Sequence, residues 1–370
     1  MRLIRPQTWI SLPVPNAVRA RGDVLLKLAE SLAITGVALL ASVMAFSVFV
    51  ALLKVNPISA LYAMYLGGFG TSFSWQVTLV KAAPLLLTGL CTALPARTGL
   101  IVIGGEGAFV LGGLFAAEAA HFVPNAPPLI VWLVMGAAGC LVGGLWIMLP
   151  AMLRVYRGVN ETISTLLMNY IAIAIFNQLV EGAFHDPSSL NNPSTYSIGD
   201  NNMFTDIGNS QVHWGLVVGL VVCVLAWLLT QHTTIGFSAD LAGGNPKAAR
   251  LSGIKINRLI VWFAFLGGAC AGLAGMIQVA AVQERANDGL NVGYGYAGIL
   301  VAFMARQNPL AIIPVAILLG GVHAGKILLQ TQLGLPNSAA LVFQGLLFVF
   351  ILASETLYGR WKIFQPRVKI

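Results

Sequence analysis

The feature that most constrains this chain is the repetition of long hydrophobic runs, separated by short segments that carry most of its charge. A helix needs about 20 apolar residues to cross a bilayer, and most of the runs approach that length. Hydrophobic residues make up 57% of the sequence and charged residues only 9%, whereas a soluble domain carries about 25% charged residues. Backbone groups inside a bilayer must be hydrogen-bonded within the protein, so such runs form helices. The sequence therefore predicts an all-α, polytopic membrane protein with one membrane domain.

About ten hydrophobic runs are predicted to be transmembrane helices. The eighth, at 293–305, has only 13 residues and is predicted to cross as a half-helix buried among its neighbours. The glycine-rich sequence that begins at Gly289 is similar to the one that begins at Gly99. This similarity indicates two related halves, although such segments also resemble each other by chance. Residues 54–76 are rich in turn-forming residues and are predicted to lie outside. The runs lie at about 32–53, 77–96, 99–120, 128–152, 162–180, 214–229, 259–281, 293–305, 310–329 and 339–353.

The distribution of charge predicts how these helices are oriented, because short loops rich in lysine and arginine stay in the cytoplasm. A membrane domain is predicted at 28–355. The predicted cytoplasmic parts are an N-terminal arm at 1–27 before it, a loop at 230–258 within it and a tail at 356–370 after it. The segment at 181–213 is acidic, without lysine or arginine, and is predicted to be an external loop. Both termini are therefore expected in the cytoplasm. The net charge of +8 follows from topology and does not indicate nucleic-acid binding.

Two glycine-rich motifs resemble nucleotide-binding loops but lack the context that such sites need. Residues 320–326 match a phosphate-binding loop through its lysine, but Ile327 stands where that motif needs a hydroxyl group for magnesium. Residues 293–298 match the dinucleotide fingerprint, without a βαβ unit around them. Both motifs are interpreted as helix-packing glycines. If transport uses ATP, we expect another subunit to hydrolyse it.

Other chemistry is also disfavoured by the sequence. No serine–histidine–acid set stands out, and the 4 cysteines stand alone in apolar runs without metal-ligand spacing. We therefore expect no catalytic residue, metal or cofactor in this chain. Small residues spaced four apart predict instead that helices approach closely: Gly139 and Gly143, Gly268 and Gly272, and Ala271 and Gly275.

The loop at 230–258 carries a basic excess and a short predicted helix. Asn245 can cap this helix, and Pro246 suits its first position. A helix exposed between two membrane spans needs a soluble partner, and the alternative is a solvated loop that only follows the charge rule. The order of residues favours the partner, because it resembles the cytoplasmic coupling loop of bacterial ABC importer permeases in the pattern Gly243-x-Asn245-Pro246-x-Ala248-Ala249-x-x-x-Gly253.

The branch of the family that this loop resembles serves nucleosides, simple sugars and branched-chain amino acids. In that family the loop docks into a groove on an ATPase subunit and transmits its closure to the membrane helices. Asp240 departs from the family, which usually has an arginine near this position. The resemblance implies the following ATPase-coupling residues: Gly243, Asn245, Pro246, Ala248, Ala249, Arg250 and Gly253.

Further segments resemble the same family, and the resemblance covers about residues 30–355. Residues 98–107 are similar to its pore-lining segment, with Val102 where the family has asparagine. Ala108, the next residue, stands where the family has glutamine. Residues 159–171 are close to the motif of the nucleoside branch. The resemblance implies an assembly of this permease with an ABC ATPase, a second permease that is not identical and an external substrate-binding protein. It also implies a multi-pass protein of the bacterial inner membrane.

Glu106 is the ionisable residue that most needs an explanation, because a charge near the bilayer centre costs about 2.5–3.5 kcal/mol or more. At a helical rise of 1.5 Å per residue it lies about 11 Å from the start of the third run. Asn169 lies at a similar depth and shares a helix face with Thr162 and Thr165. These four side chains are candidates for the substrate pathway, and hydrogen bonding between helices is an alternative of equal weight. Two lysines near outer helix ends are interpreted as reaching the surface: Lys81 and Lys326.

The sequence thus predicts a permease subunit of an ABC importer that translocates a nucleoside, or a related purine or sugar, by alternating access. A permease for a simple sugar or a branched-chain amino acid in the same family is the first alternative. A self-sufficient secondary transporter or channel is the second, and it would need paired membrane charges or an ion site, for which only Glu106 is a candidate. An intramembrane enzyme is a third, without a nucleophile–base set to support it.

Overall fold

The computed structural model describes residues 17–124, 126–189, 192–208, 210–336 and 338–355, and these residues form helices joined by short connections. The first helix begins within the predicted N-terminal arm, while residues 1–16 and the predicted tail at 356–370 lie outside the described residues. The α-helices of the described residues are α1 (Ala17–Leu52), α2 (Pro57–Tyr65), α3 (Ser72–Ala96), α4 (Gly105–His121), α5 (Pro128–Arg157), α6 (Glu161–Glu181), α7 (Gly215–His232), α8 (Thr234–Gly244), α9 (Pro246–Leu251), α10 (Ile256–Gln278), α11 (Tyr294–Met304), α12 (Ile312–Leu333) and α13 (Ser338–Glu355).

Seven helices of the described residues are long and apolar enough to cross a membrane: α1 from Ala33 onward, α3, α5, α6, α7, α12, and α10 with the π-helical turn Val279–Gln283 that continues it. The all-helical, multi-pass prediction is thereby confirmed. The other three predicted spans fall on α4, α11 and α13. The 11 residues of α11 agree with the half-helix predicted at 293–305. Ten crossings with both termini in the cytoplasm stay a prediction.

The helices differ widely in burial, which separates a centre from a periphery. The apolar part of α3 is 78% buried and that of α10 is 67% buried, whereas α6 is only 28% buried. A helix that is apolar on all sides belongs in the interior, and one with an outward apolar face needs lipid or a partner chain to cover it. The outward face of α6 includes Ile163 and Leu167. The central helices are therefore the ones that can line an internal pathway.

Close contacts between α4, α5 and α10 form the centre of the fold. Gly143 of α5 faces Gly268 of α10 so closely that a Cβ on either residue would collide with the opposite backbone. Gly139 and Gly112 approach Gly272 in the same way, from α5 and α4. The close packing predicted from small residues spaced four apart is confirmed, because only glycine permits this separation of backbones.

The glycines of the two nucleotide-like motifs also pack against neighbouring helices. Gly320 lies against the α3 backbone at Thr78, and Gly298 lies against α3 at Thr88. Gly325 contacts the backbone of Met64 in α2. Their interpretation as packing glycines is confirmed, since these backbone positions are occupied by protein.

The residues between α1 and α3 do not form the turn-rich loop that was predicted at 54–76. They form α2, whose first turn is capped by Asn56, and a π-helical turn at Leu66–Gly70. Gly67 and Gly68 pack against the α12 backbone at Gly325 and Gly321. These glycines permit helix contact here and do not form turns, while the external location of residues 54–76 stays a prediction.

The third predicted span begins later than its hydrophobic pattern indicates. The pattern predicts a helix from Gly99, but residues 100–103 are not helical and α4 begins at Gly105. Gly99 has a φ of +78°, which favours glycine, and β-branched residues at 101–103 favour extended backbone. The depth predicted for Glu106 is therefore wrong, because an extended residue advances about 3.3 Å against 1.5 Å in a helix.

The segment between α6 and α7 folds over the residues that follow the C-terminal end of α10. Thr195 donates its backbone N–H to the Ala286 carbonyl at 3.0 Å, and its hydroxyl accepts from the Ala286 N–H at 3.0 Å. Asp186 lies 4.0 Å from Arg285. Hydrogen bonds from the hydroxyl and the backbone N–H of Ser188 lower the pKa of Asp186 below its ordinary value. This segment is thus an ordered cover over one end of the helices.

Candidate functional site

Glu106 joins the beginnings of α4 and α11. It lies in the first turn of α4, and its side chain is fully buried. One carboxylate oxygen, Oε1, accepts from the Gly293 N–H at 2.8 Å, and the other, Oε2, accepts from the Gly295 N–H at 2.5 Å. A carboxylate at a helix N-terminus satisfies backbone donors that have no partner within the helix. The charge of Glu106 is thus used to cap α11.

Thr165 and Asn169 of α6 hydrogen-bond the backbone around this cap. The Thr165 hydroxyl accepts from the Ile103 N–H at 3.2 Å. The Asn169 side chain accepts from the Gly107 N–H at 2.8 Å and donates to the Ile103 carbonyl at 3.0 Å. Thr162 is half-buried, and only its backbone carbonyl contacts Thr165, at 3.2 Å. Three of the four predicted pathway residues therefore lie together, but their polar atoms bind backbone. We call Glu106, Thr165 and Asn169 the Glu106 cluster.

A cavity of about 1040 Å³ lies beside the Glu106 cluster, between α3, α10, α11, α12 and α13. We call it the central cavity. Ligand sites of this kind combine apolar and aromatic surface with a few polar groups. The aromatic and polar residues that line it are Lys81, Gln278, Gln283, Asn291, Tyr294, Tyr296, His323, Lys326, Gln344 and Phe348.

The first turn of α11 connects the Glu106 cluster to the central cavity. Gly293 binds Glu106 and also lies in the cavity wall. The Tyr296 hydroxyl lies 3.4 Å from the Asn169 side-chain nitrogen, and the Tyr294 ring stacks on His323 with centroids 5.6 Å apart. The cluster therefore sets the position of one wall of the cavity. The Glu106 carboxylate itself does not line the cavity.

Lys81 and Lys326, which the sequence analysis interprets as reaching the surface, are half-buried and line the central cavity. Lys81 lies in α3 and Lys326 in α12, both helices of the buried centre. His323, only 8% exposed, lies one turn from Lys326 on the same face of α12. Sequence reasoning missed this histidine, although its spacing from Lys326 within an apolar run was a usable signal. The sequence could not show that α3 and α12 face the same space.

The predicted coupling loop forms two helices, α8 and α9, which we call the coupling segment. The Asn245 side chain accepts from the Ala248 N–H at 3.1 Å and caps α9, and Pro246 is the first residue of that helix, as predicted. Gly253, with a φ of +77°, follows its end. Ala249 is buried, but it packs within the chain, in a small apolar cluster with Ala242 and Ile256.

The outward face of α9 carries different residues. Leu251 is 91% exposed, and Lys247 and Arg250 are also exposed. Ala248 is half-buried, and Gly243 lies against the backbone carbonyl of Arg97. An apolar side chain that is almost wholly exposed beside basic ones is the part of this segment available to a partner.

Asp240 of α8 binds Arg97 at the end of α3. Both Asp240 oxygens accept from one guanidinium nitrogen of Arg97, at 3.0 and 3.1 Å. A second guanidinium nitrogen of Arg97 donates to the Gln307 carbonyl, just beyond α11, at 3.5 Å. The acid that departs from the family pattern is thus used inside the chain. It ties the coupling segment to the ends of two helices that line the central cavity.

Comparison with known proteins shows the family to which this chain belongs. Residues 74–352 match the family described as branched-chain amino acid transport system / permease component. A glucose ABC transporter permease protein of Haloferax volcanii is 28% identical over 93% of this chain and 90% of its own length. A guanosine ABC transporter permease protein of Bacillus subtilis is 29% identical over 79% of this chain and 84% of its own, and a nucleoside ABC transporter permease protein of Lactococcus lactis is 25% identical over 80% and 84%. The chain belongs to this family of ABC transporter permeases and is a membrane-spanning transport subunit, not an enzyme.

Proposed function

We propose that this chain translocates a nucleoside, or a related purine or sugar, as the permease of an ABC importer that works by alternating access. The observation that carries the proposal is the central cavity, about 1040 Å³ in volume. Drug-sized ligands occupy cavities of about 300–1,000 Å³, so a nucleoside fits with water to spare. Aromatic walls suit the faces of a base, and amide side chains suit hydroxyl groups. The relatives named for guanosine and nucleosides support the same substrate class.

The connection between the central cavity and the coupling segment supports alternating access. Lys81 lines the cavity from α3, and Arg97 at the cytoplasmic end of that helix binds Asp240. The same guanidinium reaches the Gln307 carbonyl beyond α11, whose first turn lines the cavity. A displacement of α8 would therefore act on both cavity-lining helices through one side chain. Rigid helices with two arrangements are the elements through which such coupling passes.

The expected partners follow from this role. An ABC ATPase would bind the outward face of α9, around Leu251, with Lys247 and Arg250 beside it. A second, non-identical permease and an external substrate-binding protein complete the proposed importer, the latter on the side of the 181–213 segment. The proposed location is the bacterial inner membrane, with ATP used only by the ATPase.

The proposed function is tested by uptake into proteoliposomes that contain the complete complex and its binding protein. We expect ATP-dependent uptake of guanosine or inosine, with weaker or no uptake of leucine. Transport by this chain alone without ATP would support a secondary transporter instead. Uptake of leucine but of neither nucleoside nor sugar would assign the chain to the amino-acid branch.

Docking is tested at Leu251, because Ala249 is buried in its own chain and a substitution there would disturb α9 itself. Leu251→Ser removes the exposed apolar side chain without changing charge. We expect binding-protein-stimulated ATP hydrolysis to fall about tenfold or more, since exposed apolar anchors contribute about 2 kcal/mol or more to an interface. Tyr156→Ser, at the exposed cytoplasmic end of α5, is the matched control. Equal stimulation of the Leu251 variant and the wild type would place the docking surface elsewhere.

A further inference from the structure

The charges of the central cavity are all positive. Lys81 and Lys326 are the charged residues in its wall, and the wall contains no aspartate or glutamate. Within the described residues, the ion pairs join other groups: Arg97 with Asp240, Arg154 with Glu161, and Arg285 with Asp186. Both lysines are half-buried in the wall of one cavity, where like charges repel each other. Partly buried charge without a counter-charge is costly, and an electron-rich ligand in the cavity would compensate it.

His323 adds a buried ring nitrogen without a protein partner. Its side chain is 8% exposed, and its Nε2 has no hydrogen-bond partner within the described residues. The Gln344 side chain lies in the same cavity wall. A neutral imidazole with its proton on Nδ1 presents Nε2 as an acceptor. The cavity therefore offers two cationic donors and, in addition to the oxygens of its amide side chains, an imidazole nitrogen that can accept a hydrogen bond.

The same wall provides a flat surface for a planar ring. His323 and Tyr294 stack with an interplanar angle of 18°, and Phe348 of α13 lines the cavity as well. Aromatic rings prefer offset-stacked or edge-to-face neighbours, so a planar heterocycle can lie against this wall. A sugar ring without carbonyl groups would use neither the ammonium groups nor this surface fully.

We propose that the central cavity recognises the lactam edge of an oxo-substituted nucleobase, with its carbonyl oxygen toward Lys81 and Lys326 and its adjacent N–H toward His323. This inference rests on the proposed function and narrows its substrate class. Guanosine, inosine and xanthosine carry such an edge, whereas adenosine presents in its place a neutral amino group, which cannot accept a hydrogen bond from either lysine. Ribose carries no base at all.

The test compares variants of the complete complex in proteoliposomes, with one binding protein throughout, so that differences between variants report on the permease. The probes are inosine, xanthosine, adenosine and ribose. Lys81→Met and Lys326→Met preserve length and remove charge, and Lys54→Met is the control, because Lys54 is exposed at the end of α1 away from the cavity. We expect each cavity variant to lose about tenfold or more in inosine and xanthosine uptake, as expected for a lost charged hydrogen bond. Adenosine and ribose should change by less than about twofold, as for the control.

Three outcomes would overturn the inference. Equal losses for all four probes would assign the lysines to folding or to the transport cycle. A wild-type preference for adenosine over inosine would contradict the lactam edge, as would full inosine uptake by both lysine variants. If no probe is taken up at all, the proposed function fails. Whether the cavity recognises the lactam edge is then decided by equilibrium binding of inosine to the complex in nanodiscs. In that assay, wild-type binding by Lys81→Met overturns the cationic site, and loss of binding supports it.

Discussion

Glu106 and Lys81 are both ionisable residues among the central helices, but they have opposite surroundings. Both carboxylate oxygens of Glu106 accept backbone N–H groups, and neighbouring Thr165 and Asn169 also bind backbone. Lys81 faces a cavity in which the other charge, on Lys326, has the same sign. The Glu106 cluster is satisfied within the chain, whereas the central cavity contains two cationic side chains without a carboxylate in its wall.

This difference separates a structural polar group from one that is available to a ligand. Burial of a polar group costs free energy unless a partner compensates it. In the Glu106 cluster the partner is the backbone of α4 and α11, so the compensation is permanent. In the central cavity the described residues offer no counter-charge, so the compensation must come from water or a bound molecule. Substitutions should therefore affect stability in the first region and ligand response in the second.

The largest effect is expected for Glu106→Gln. The glutamine side chain has one oxygen and one NH₂ group in place of two oxygens, so its NH₂ group would face the N–H of Gly293 or Gly295. We expect the free energy of unfolding to fall by about 3–5 kcal/mol, the range for breaking a buried charged interaction. Selectivity between inosine and adenosine among the surviving molecules should not change. Thermal unfolding beside competition uptake measures both quantities.

Glu118→Gln is the matched control on the same helix, since Glu118 Oε1 has no hydrogen-bond partner in the described residues. It should change the free energy of unfolding by less than about 0.5 kcal/mol. A stable Glu106→Gln variant with altered selectivity would contradict the structural role and return Glu106 to the list of ligand-binding residues.

His213 sharpens the comparison, because it is an unpaired buried residue outside the central cavity. It precedes α7, and neither ring nitrogen has a hydrogen-bond partner in the described residues. Burial lowers its pKa from 6.5 to about 4. The unfolded chain therefore binds more protons between these values, so stability is present above pH 6.5 and is lost as the pH falls toward 4.

We expect acidification from about pH 7 to pH 4.5 to remove about 2–3 kcal/mol through this residue. The melting temperature of His213→Gln should fall less over the same range than that of the wild type. His232→Gln, at the other end of α7, is the control. Identical pH profiles for wild type and His213→Gln would show that the ring is solvated and gains a proton freely.

The fold was largely predictable from the sequence, because its signals are local. Apolar runs predict the long helices, Asn245 and Pro246 predict the start of α9, and paired glycines predict the contact of α5 with α10. The errors arose where one signal has two structural uses. Glycines such as Gly67 both form turns and permit helix contact, and a run of β-branched residues suits either a membrane helix or the extended backbone before Gly105.

The candidate site was predictable only in part. Glu106, Thr165 and Asn169 were found because polar residues inside apolar runs are rare. Their use was not predictable, since it depends on Gly293 and Gly295, which lie far away in the sequence. That Lys81 and Lys326 line one cavity was not predictable for the same reason: which faces of two helices meet is decided by tertiary packing.

Thr165→Val tests the Glu106 cluster with a smaller change. Valine has nearly the shape of threonine but cannot accept from the Ile103 N–H, which would be left without its partner. We expect a loss of about 1–2 kcal/mol, the cost of one unsatisfied buried donor. Thr162→Val, one turn earlier and half-buried, should cost less than about 0.5 kcal/mol. Equal losses would mean that helix propensity, and not the hydrogen bond, explains the effect.

Lys81→Met is expected to have the smallest effect on stability, with the opposite sign. Removing one of two like charges relieves their repulsion and the cost of desolvation, so the ligand-free complex should gain up to about 1 kcal/mol or stay unchanged. Inosine should raise the melting temperature of the wild type by binding only the folded state, and this shift should shrink in the variant. Lys54→Met should retain the full shift. A Lys81 variant that is destabilised as strongly as Glu106→Gln would show that the lysine has a structural partner, and the contrast between the two regions would no longer stand.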